Sequence, residues 1–166
     1  MRPAPRMAAD SLAVSLHEAL RARGLRMAAA ESCTGGLIAL RLTTPHGASD
    51  VFVASAVTYS NQSKIALAHV PAGLIQSHGA VSPEVARAMA EGIASVTGAE
   101  VAVSTTGNLG PDPMEGKPAG LIHCAVFVRG KVEVREFGIK GAREEIRREA
   151  AEQALAFTLE MVLAWA

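Results

Sequence analysis

The stretch Arg26-Met27-Ala28-Ala29-Ala30-Glu31-Ser32-Cys33-Thr34-Gly35-Gly36 decides the fold of this protein. Its first half is a short apolar run bounded by turn residues, which predicts a buried strand over Arg26–Glu31. The five residues that follow include two glycines and predict a tight turn, and a helix over Leu37–Thr43 starts from that turn. A strand that passes through a tight turn into a helix is the basic unit of an α/β protein.

The segments on either side of this unit alternate between predicted helices and strands. Asp10 and Ser11 can cap a helix, whose apolar residues fall on one face until Gly24 ends it. The loop after the central unit leads into Val51–Tyr59, where β-branched and apolar residues predict the clearest strand of the first half. This alternation favours parallel strands with helices on both faces of the sheet.

Three helices are predicted in the middle of the chain, over residues 60–68, 71–79 and 82–98. The third has the strongest start signal, Ser82-Pro83-Glu84. It combines a capping hydroxyl, a proline at the first helical position and an acid at the positive end of the helix dipole.

The last third of the chain predicts a strand, a hairpin and a long helix. The strand covers residues 101–106, and a Gly- and Pro-rich loop follows it. The hairpin pairs 120–128 with 131–138 around Arg129-Gly130, and the helix runs from Ala142 to about Trp165. We therefore predict a three-layer α/β/α fold with a mixed, mostly parallel sheet and a C-terminal antiparallel hairpin. Residues 1–9 are expected to form a flexible tail, and residues 10–166 a single domain.

Composition excludes several classes of function. The 16 basic and 16 acidic residues give a formal net charge of zero, which argues against nucleic-acid or anionic-membrane binding driven by bulk charge. The longest uncharged stretch, 65–83, contains two prolines and two glycines and is not a membrane span. Neither cysteine has the spacing of a metal site, and no signal peptide is visible. We expect a cytoplasmic protein with reduced thiols, no metal and no cofactor.

Unusual polar residues follow three of the predicted strands. Ser32 and Cys33 come after the first, Tyr59 and Lys64 after the second, and a loop with hydroxyls and glycines over 104–111 after the third. Ligands of open α/β sheets collect at the carboxyl ends of strands, so these residues are candidates for one site. Each segment also has a purely structural interpretation, as a capped turn or a solvated lysine.

Taken together, the three segments supply a candidate nucleophile, a candidate base, a phenol and a loop that can accept an anion. Either Ser32 or Cys33 can be the nucleophile, and a desolvated Lys64 has a lowered pKa that allows it to act as a base. Tyr59 adds a phenol. The sequence has no HExxH, GxSxG or GxGxxG motif, no phosphate-binding P-loop and no paired carboxylates at acid/base spacing that would favour another chemistry.

The sequence resembles the CinA C-terminal domain family, the nicotinamide-nucleotide amidohydrolases. The resemblance covers residues 10–165 and rests on several motifs that occur in one order. They are Ala30-Glu31-Ser32-Cys33-Thr34-Gly35-Gly36, Thr58-Tyr59-Ser60-Asn61-Gln62-Ser63-Lys64, Gly79-Ala80-Val81-Ser82-Pro83-Glu84, Gly116-Lys117-Pro118-Ala119-Gly120 and Gly141-Ala142-Arg143-Glu144-Glu145-Ile146-Arg147.

The resemblance implies an amidohydrolase that converts nicotinamide mononucleotide to nicotinic acid mononucleotide and ammonia without a metal, and it implies a homodimer. It assigns Ser32 as the nucleophile and Lys64 and Tyr59 as the partners in proton transfer. The substrate-binding residues that it implies are Thr34, Gly35, Gly36, Thr106, Gly107, Asn108, Arg143 and Arg147. The turn at 34–36 would also hold the oxyanion through backbone N–H groups.

Two departures from the family pattern bear on activity. Leu109 stands where the family usually has alanine, which adds bulk to the substrate loop, and Thr58 stands where glycine is common. Two other classes of function stay open at this point. One is a catalytically silent nucleotide-binding or regulatory module linked to competence or the DNA-damage response. The other is a protein that acts mainly by self-association.

Overall fold

The computed structural model describes residues 7–165 of the chain, with side chains from residue 11 onward. Helices and strands follow one another along it in the order that the sequence predicts. The helices are α1 Met7–Ala22, α2 Leu37–Thr43, α3 Asn61–Ala68, α4 Ala72–His78, α5 Pro83–Thr97 and α6 Arg143–Ala164. The strands are β1 Met27–Glu31, β2 Phe52–Val57, β3 Val101–Gly107, β4 Leu121–Val128 and β5 Lys131–Gly138.

One five-stranded sheet, in the order β2-β1-β3-β4-β5, forms the middle layer. β1 pairs in parallel with β2 and β3, whereas β4 is antiparallel to both β3 and β5. Four of these five strands therefore run in one direction and β4 alone runs in the other. This confirms the predicted mixed sheet with its C-terminal hairpin.

Alternate residues of β1 face two separate cores. Met27 and Ala29 pack with residues of α1, α2 and α6, and Ala28 and Ala30 pack against α5 on the opposite face. A strand that is buried on both faces has helices on both sides of its sheet. The predicted three-layer α/β/α arrangement is confirmed.

A glycine in α5 fixes the position of α3, the helix that carries Lys64. A Cβ atom built on Gly92 would lie 1.6 Å from the carbonyl oxygen of Ala68 at the end of α3. Any larger residue would force the two helices apart. The small side chains at this crossing thus set how deeply α3 enters the molecule.

The local start signals predict the helix bounds well where a cap is present. The Ser60 and Ser82 side chains accept hydrogen bonds from Ser63 N–H and Val85 N–H at the starts of α3 and α5, which confirms the cap predicted at Ser82. The first helix differs, because it begins at Met7 and not at the predicted cap residues Asp10 or Ser11.

The earlier start of α1 has a simple physical reason. Ala8 and Ala9 are the strongest of helix formers and extend the helix upstream. Residues 7–9 are therefore helical, and the rest of the predicted tail, 1–6, lies outside the described residues. A short 3-10 turn, Ala48–Asp50, occupies part of the predicted loop before β2.

Candidate active site

The carboxyl ends of β1, β2 and β3 open into one cavity of about 300 Å³. Its lining brings together all three sequence segments that were predicted to form a site. The residues are Ser32, Cys33, Tyr59, Asn61, Lys64, Ala80, Val81, Thr106, Gly107, Asn108, Leu109, Met114, Glu115 and Arg143. A more open cleft of about 700 Å³ lies against α4, α5 and β5, but none of the predicted site residues lines it.

Glu31 holds the turn that presents Ser32. Its fully buried carboxylate accepts hydrogen bonds from Thr34 Oγ1 at 2.8 Å, from the Ile38 and Ala39 N–H groups at 2.8 and 3.1 Å, and from Ser55 Oγ at 3.0 Å. The negative charge therefore lies at the positive end of α2, where it is favourable. These bonds join β1, the turn, α2 and β2 directly beside the candidate nucleophile.

Lys64 lies in the protein interior, with 1% of the residue exposed to solvent. Its Nζ lies 3.0 Å from Ser32 Oγ, 2.9 Å from the Thr58 carbonyl oxygen and 3.3 Å from the Tyr59 carbonyl oxygen. Among the described side chains, no carboxylate forms an ion pair with it. Burial without such a counter-ion lowers the pKa of Lys64, against weaker opposing effects of Cys33 and Glu115.

Three oxygen atoms lie within hydrogen-bond distance of Lys64 Nζ, and the Ser32 hydroxyl can either accept a bond from this amine or donate one to it. An uncharged –NH₂ group has two N–H donors and one lone pair. When Lys64 is neutral, the carbonyl oxygens of Thr58 and Tyr59 can accept its two N–H bonds, which leaves the lone pair for the hydroxyl proton of Ser32. These carbonyls are free for Lys64 because β2 ends at Val57, two residues before the predicted end at Tyr59.

Cys33, the alternative nucleophile, has a buried thiol that burial keeps protonated. Burial raises the pKa of its thiol to about 12, and the residue packs with Leu109, Ile122 and Ile139. A thiol that stays protonated is a poor nucleophile. Of the two alternatives that the sequence left open, the geometry favours Ser32.

The Tyr59 side chain lies at the rim of the cavity. The residue is 57% exposed, and its hydroxyl accepts a hydrogen bond from Arg143 Nη2 at 3.0 Å. Among the hydrogen bonds of the described residues, none joins this hydroxyl to Ser32 or Lys64. Only the backbone carbonyl of Tyr59 reaches Lys64, so the predicted proton transfer through the phenol has no direct contact to support it.

The predicted substrate-binding residues divide into two groups. Thr106, Gly107, Asn108 and Arg143 line the cavity. The predicted residues that do not line it are Thr34, Gly35, Gly36 and Arg147. Three of these four residues make other contacts outside the cavity. The Thr34 hydroxyl donates to Glu31, the Gly35 N–H donates to the Ser32 carbonyl at 3.1 Å, and Arg147 lies over Gly35.

Asn108 shapes the loop that closes one side of the cavity. Its Nδ2 donates to the carbonyl oxygens of Asp112 and Lys117 at 2.9 and 3.2 Å, and its Oδ1 accepts from the Gly110 N–H at 2.8 Å. These bonds occupy both N–H donors and one lone pair of the side-chain amide. Asn108 therefore acts on the site mainly by holding the loop. Leu109, the departure from the family pattern, is 4% exposed and lines the cavity beside it.

Glu115 is a charged residue of the cavity that sequence analysis did not select. Its carboxylate accepts hydrogen bonds from the Ala80 and Val81 N–H groups at 3.0 and 3.1 Å, and Lys117 Nζ lies 3.5 Å from Oε2. Burial by itself would raise the pKa of Glu115, but the two N–H groups and Lys117 outweigh it and lower the pKa. The sequence signal was only an acid in a polar loop, which needs no function to explain it.

Two negative findings concern the described residues. Within 7–165, no helix is both long enough and apolar enough to cross a membrane. The same part of the chain contains no group of three His, Cys, Asp or Glu side chains that could hold a metal ion.

Comparison with known proteins finds a matching family model, similar sequences and similar solved structures. Residues 9–162 match the family model described as the CinA C-terminal domain. The chain is 46% identical over 139 residues to a CinA-like protein of Citrifermentans bemidjiense, an alignment that covers 83% of this chain and 33% of that protein. It thus spans about a third of the length of this curated relative.

Solved structures agree over almost the whole chain. A CinA superfamily protein from Klebsiella pneumoniae superposes with a TM-score of 0.92 at 32% identity, covering 96% of this chain and 100% of that one. The competence/damage inducible protein CihA from Agrobacterium tumefaciens has a TM-score of 0.89 at 35% identity and covers 98% of both chains.

Proposed function

The chain belongs to the CinA C-terminal domain family, and from that premise we propose that it is an amidohydrolase. The proposed reaction converts the carboxamide of nicotinamide mononucleotide to a carboxylic acid and releases ammonia. One observation carries the proposal. A buried lysine amine, with two carbonyl acceptors and no carboxylate partner among the described side chains, lies 3.0 Å from a serine hydroxyl at the wall of a cavity.

The first half of the reaction forms an acyl-enzyme. The neutral amine of Lys64 takes the hydroxyl proton of Ser32 while Oγ attacks the carboxamide carbon. The resulting ammonium group of Lys64 then gives that proton to the amide nitrogen as the carbon–nitrogen bond breaks. Ammonia leaves, and the acyl group stays bound to Ser32 as an ester.

The second half repeats the same proton transfers with water. Lys64 removes a proton from a water molecule that attacks the ester carbon. It returns the proton to Ser32 Oγ when the carbon–oxygen bond breaks, which releases nicotinic acid mononucleotide. A single base that alternates between its neutral and protonated forms is sufficient for both halves. Oxyanion stabilisation by backbone N–H groups of the 34–36 turn stays a prediction.

Arg143 is the residue proposed to bind the substrate phosphate. Its guanidinium reaches across the cavity rim, where Nη1 donates to the Gly110 carbonyl and Nη2 to the Tyr59 hydroxyl. A guanidinium has five N–H donors, so donors remain for phosphate oxygens. Arg147 lies outside the cavity lining and is a weaker candidate for this contact.

The proposal is tested by incubating the protein with nicotinamide mononucleotide and measuring ammonia. We expect release by the unmodified protein and by Cys33→Ala, and none above background by Ser32→Ala. The two substitutions are a matched pair, because they remove one Oγ or Sγ atom from adjacent positions. Activity that survives Ser32→Ala and disappears in Cys33→Ala would refute the proposed nucleophile.

The same assay separates the alternative functions. Binding of the nucleotide without ammonia release would favour the catalytically silent module. Absence of both binding and release, together with a stable oligomer, would favour a protein that acts by self-association. The predicted homodimer is tested separately, by the mass of the protein in solution.

A further inference from the structure

Besides the Cys33 thiol and the Tyr59 phenol, the cavity lining contains one amine, one carboxylate and one guanidinium, from Lys64, Glu115 and Arg143. The proposed base, Lys64, is neutral when it is ready to react. The charges that remain on the lining are then one carboxylate and one guanidinium. Within the described residues, no hydrogen bond or ion pair joins these two groups to each other.

Glu115 is held in place with its charge intact. The N–H groups of Ala80 and Val81 bind its two carboxylate oxygens, and its lowered pKa keeps it ionised at neutral pH. Lys117, which does not line the cavity, forms an ion pair with this carboxylate, with Nζ 3.5 Å from Oε2, and also donates hydrogen bonds to the carbonyl oxygens of His78 and Val81. The carboxylate is thus a fixed negative group on the wall formed by residues 80 and 81.

The loop geometry directs Glu115 towards this wall. Met114 and Lys117 form a two-residue turn with reciprocal backbone hydrogen bonds, and Glu115 and Gly116 at its tip have φ values of 54° and 72°. Left-handed backbone at the first of these positions favours glycine or asparagine over glutamate. The glutamate is nonetheless the residue whose side chain reaches back into the cavity.

We infer that the cavity is selective for a zwitterionic ligand, in which Glu115 faces a cationic ring and Arg143 faces an anionic group. The inference rests on the proposed function and deepens it. The ring of an oxidised pyridine nucleotide carries a positive charge on its quaternary nitrogen, and its phosphate is an anion. In the dihydro form of the same nucleotide, the ring is neutral while the carboxamide, ribose and phosphate are unchanged. Glu115 is therefore a specificity-determining residue that distinguishes the two ring states.

The test measures binding, so that it does not depend on turnover. Dissociation constants for nicotinamide mononucleotide and its dihydro form are measured by calorimetry on Ser32→Ala and on Ser32→Ala with Glu115→Gln. We expect the Ser32→Ala protein to prefer the cationic form. Removal of the carboxylate charge should reduce that preference about fivefold. This is the change expected for the loss of one attraction between opposite charges that Lys117 and water already weaken.

The ratio of the two dissociation constants separates the effect of the Glu115 charge from a general disturbance of the loop. If Glu115 only holds the loop, Glu115→Gln weakens both ligands by the same factor and the ratio does not move, which would overturn the inference. Asp112→Asn is the matched control, because it removes one acid from an exposed position of the same loop that does not line the cavity. An equal change of the ratio in this control would also overturn the inference.

Failure of the inference and failure of the proposed function have different signatures. An unchanged ratio in a protein that releases ammonia rejects the role of Glu115 and leaves the amidohydrolase in place. A charge-dependent ratio in a protein that releases no ammonia rejects the enzyme and keeps the ligand class. Binding of neither nucleotide rejects the inference, and it rejects the proposed function as well if the unmodified protein releases no ammonia.

Discussion

Replacement of Lys64 by methionine tests the chemistry of the site with little change in volume. Methionine has no proton-accepting amine, so Ser32 loses its base. General-base catalysis typically contributes about 100- to 10,000-fold, and we expect kcat for ammonia release to fall by that factor. The dissociation constant of the nucleotide should change little, because Lys64 contacts Ser32 and two backbone carbonyls and has no direct role in binding.

Lys64→Met is also expected to lower the stability of the protein. The substitution removes two N–H bonds to the carbonyl oxygens of Thr58 and Tyr59. A buried carbonyl left without a donor costs about 1–3 kcal/mol, so the two losses together lower the free energy of unfolding by up to about 6 kcal/mol. Because an apolar side chain costs less to bury than an amine, the net loss is lower still.

Three measurements decide the outcome for Lys64→Met. They are kcat by ammonia release at saturating substrate, nucleotide binding by calorimetry, and the free energy of unfolding by denaturant titration. Lys64→Arg is the companion variant, because a guanidinium stays protonated and cannot accept the serine proton. Unchanged kcat with weakened binding in Lys64→Met would refute the base role, and so would full activity in Lys64→Arg.

Four further predictions concern the surroundings of this pair. The value of kcat/KM should rise tenfold per pH unit until it levels off at the pKa of Lys64, because only the neutral amine is a base. Burial lowers that pKa, so the plateau begins below pH 10.5. A pH-independent profile would contradict the mechanism. Arg143→Gln should raise KM for nicotinamide mononucleotide about tenfold and leave that for the riboside, which lacks the phosphate, unchanged; equal effects on both would exclude phosphate binding. Tyr59→Phe keeps the backbone carbonyl oxygen that accepts a hydrogen bond from Lys64. We therefore expect a change in KM and less than about a tenfold change in kcat. A larger loss of kcat would support the predicted proton-transfer role of the phenol. Glu31→Gln should lower the free energy of unfolding by about 1–3 kcal/mol. The amide replaces one acceptor oxygen with an N–H donor, which faces the N–H groups at the start of α2. An unchanged denaturation midpoint would refute this account.

Short-range signals explain why so much of the fold was predictable. The hydroxyls of Ser60 and Ser82 cap the helices that follow them, and the hairpin turns at Arg129-Gly130 as its sequence indicates. Such signals act within a few residues, so they can be recognised in the sequence without knowledge of the rest of the chain. The error at the start of α1 has the same origin, since the helical preference of two alanines outweighed the capping signal of Asp10.

The meeting of Ser32 and Lys64 was also predictable, because both follow strands that end at the same edge of the sheet. Their distance and the burial of the amine were not. Both depend on how deeply α3 packs against α5 at Gly92, which is a contact between residues far apart in sequence.

The sequence by itself thus determined the order of helices and strands and the family to which the chain belongs. Only the tertiary structure decided which polar side chains face the cavity. Thr34 turned inward to Glu31, the Tyr59 hydroxyl turned outward to Arg143, and Glu115 turned back from a loop tip to the N–H groups of Ala80 and Val81. The physical reason is that side-chain direction depends on partners brought close by folding, and neither residue type nor spacing along the chain specifies those partners.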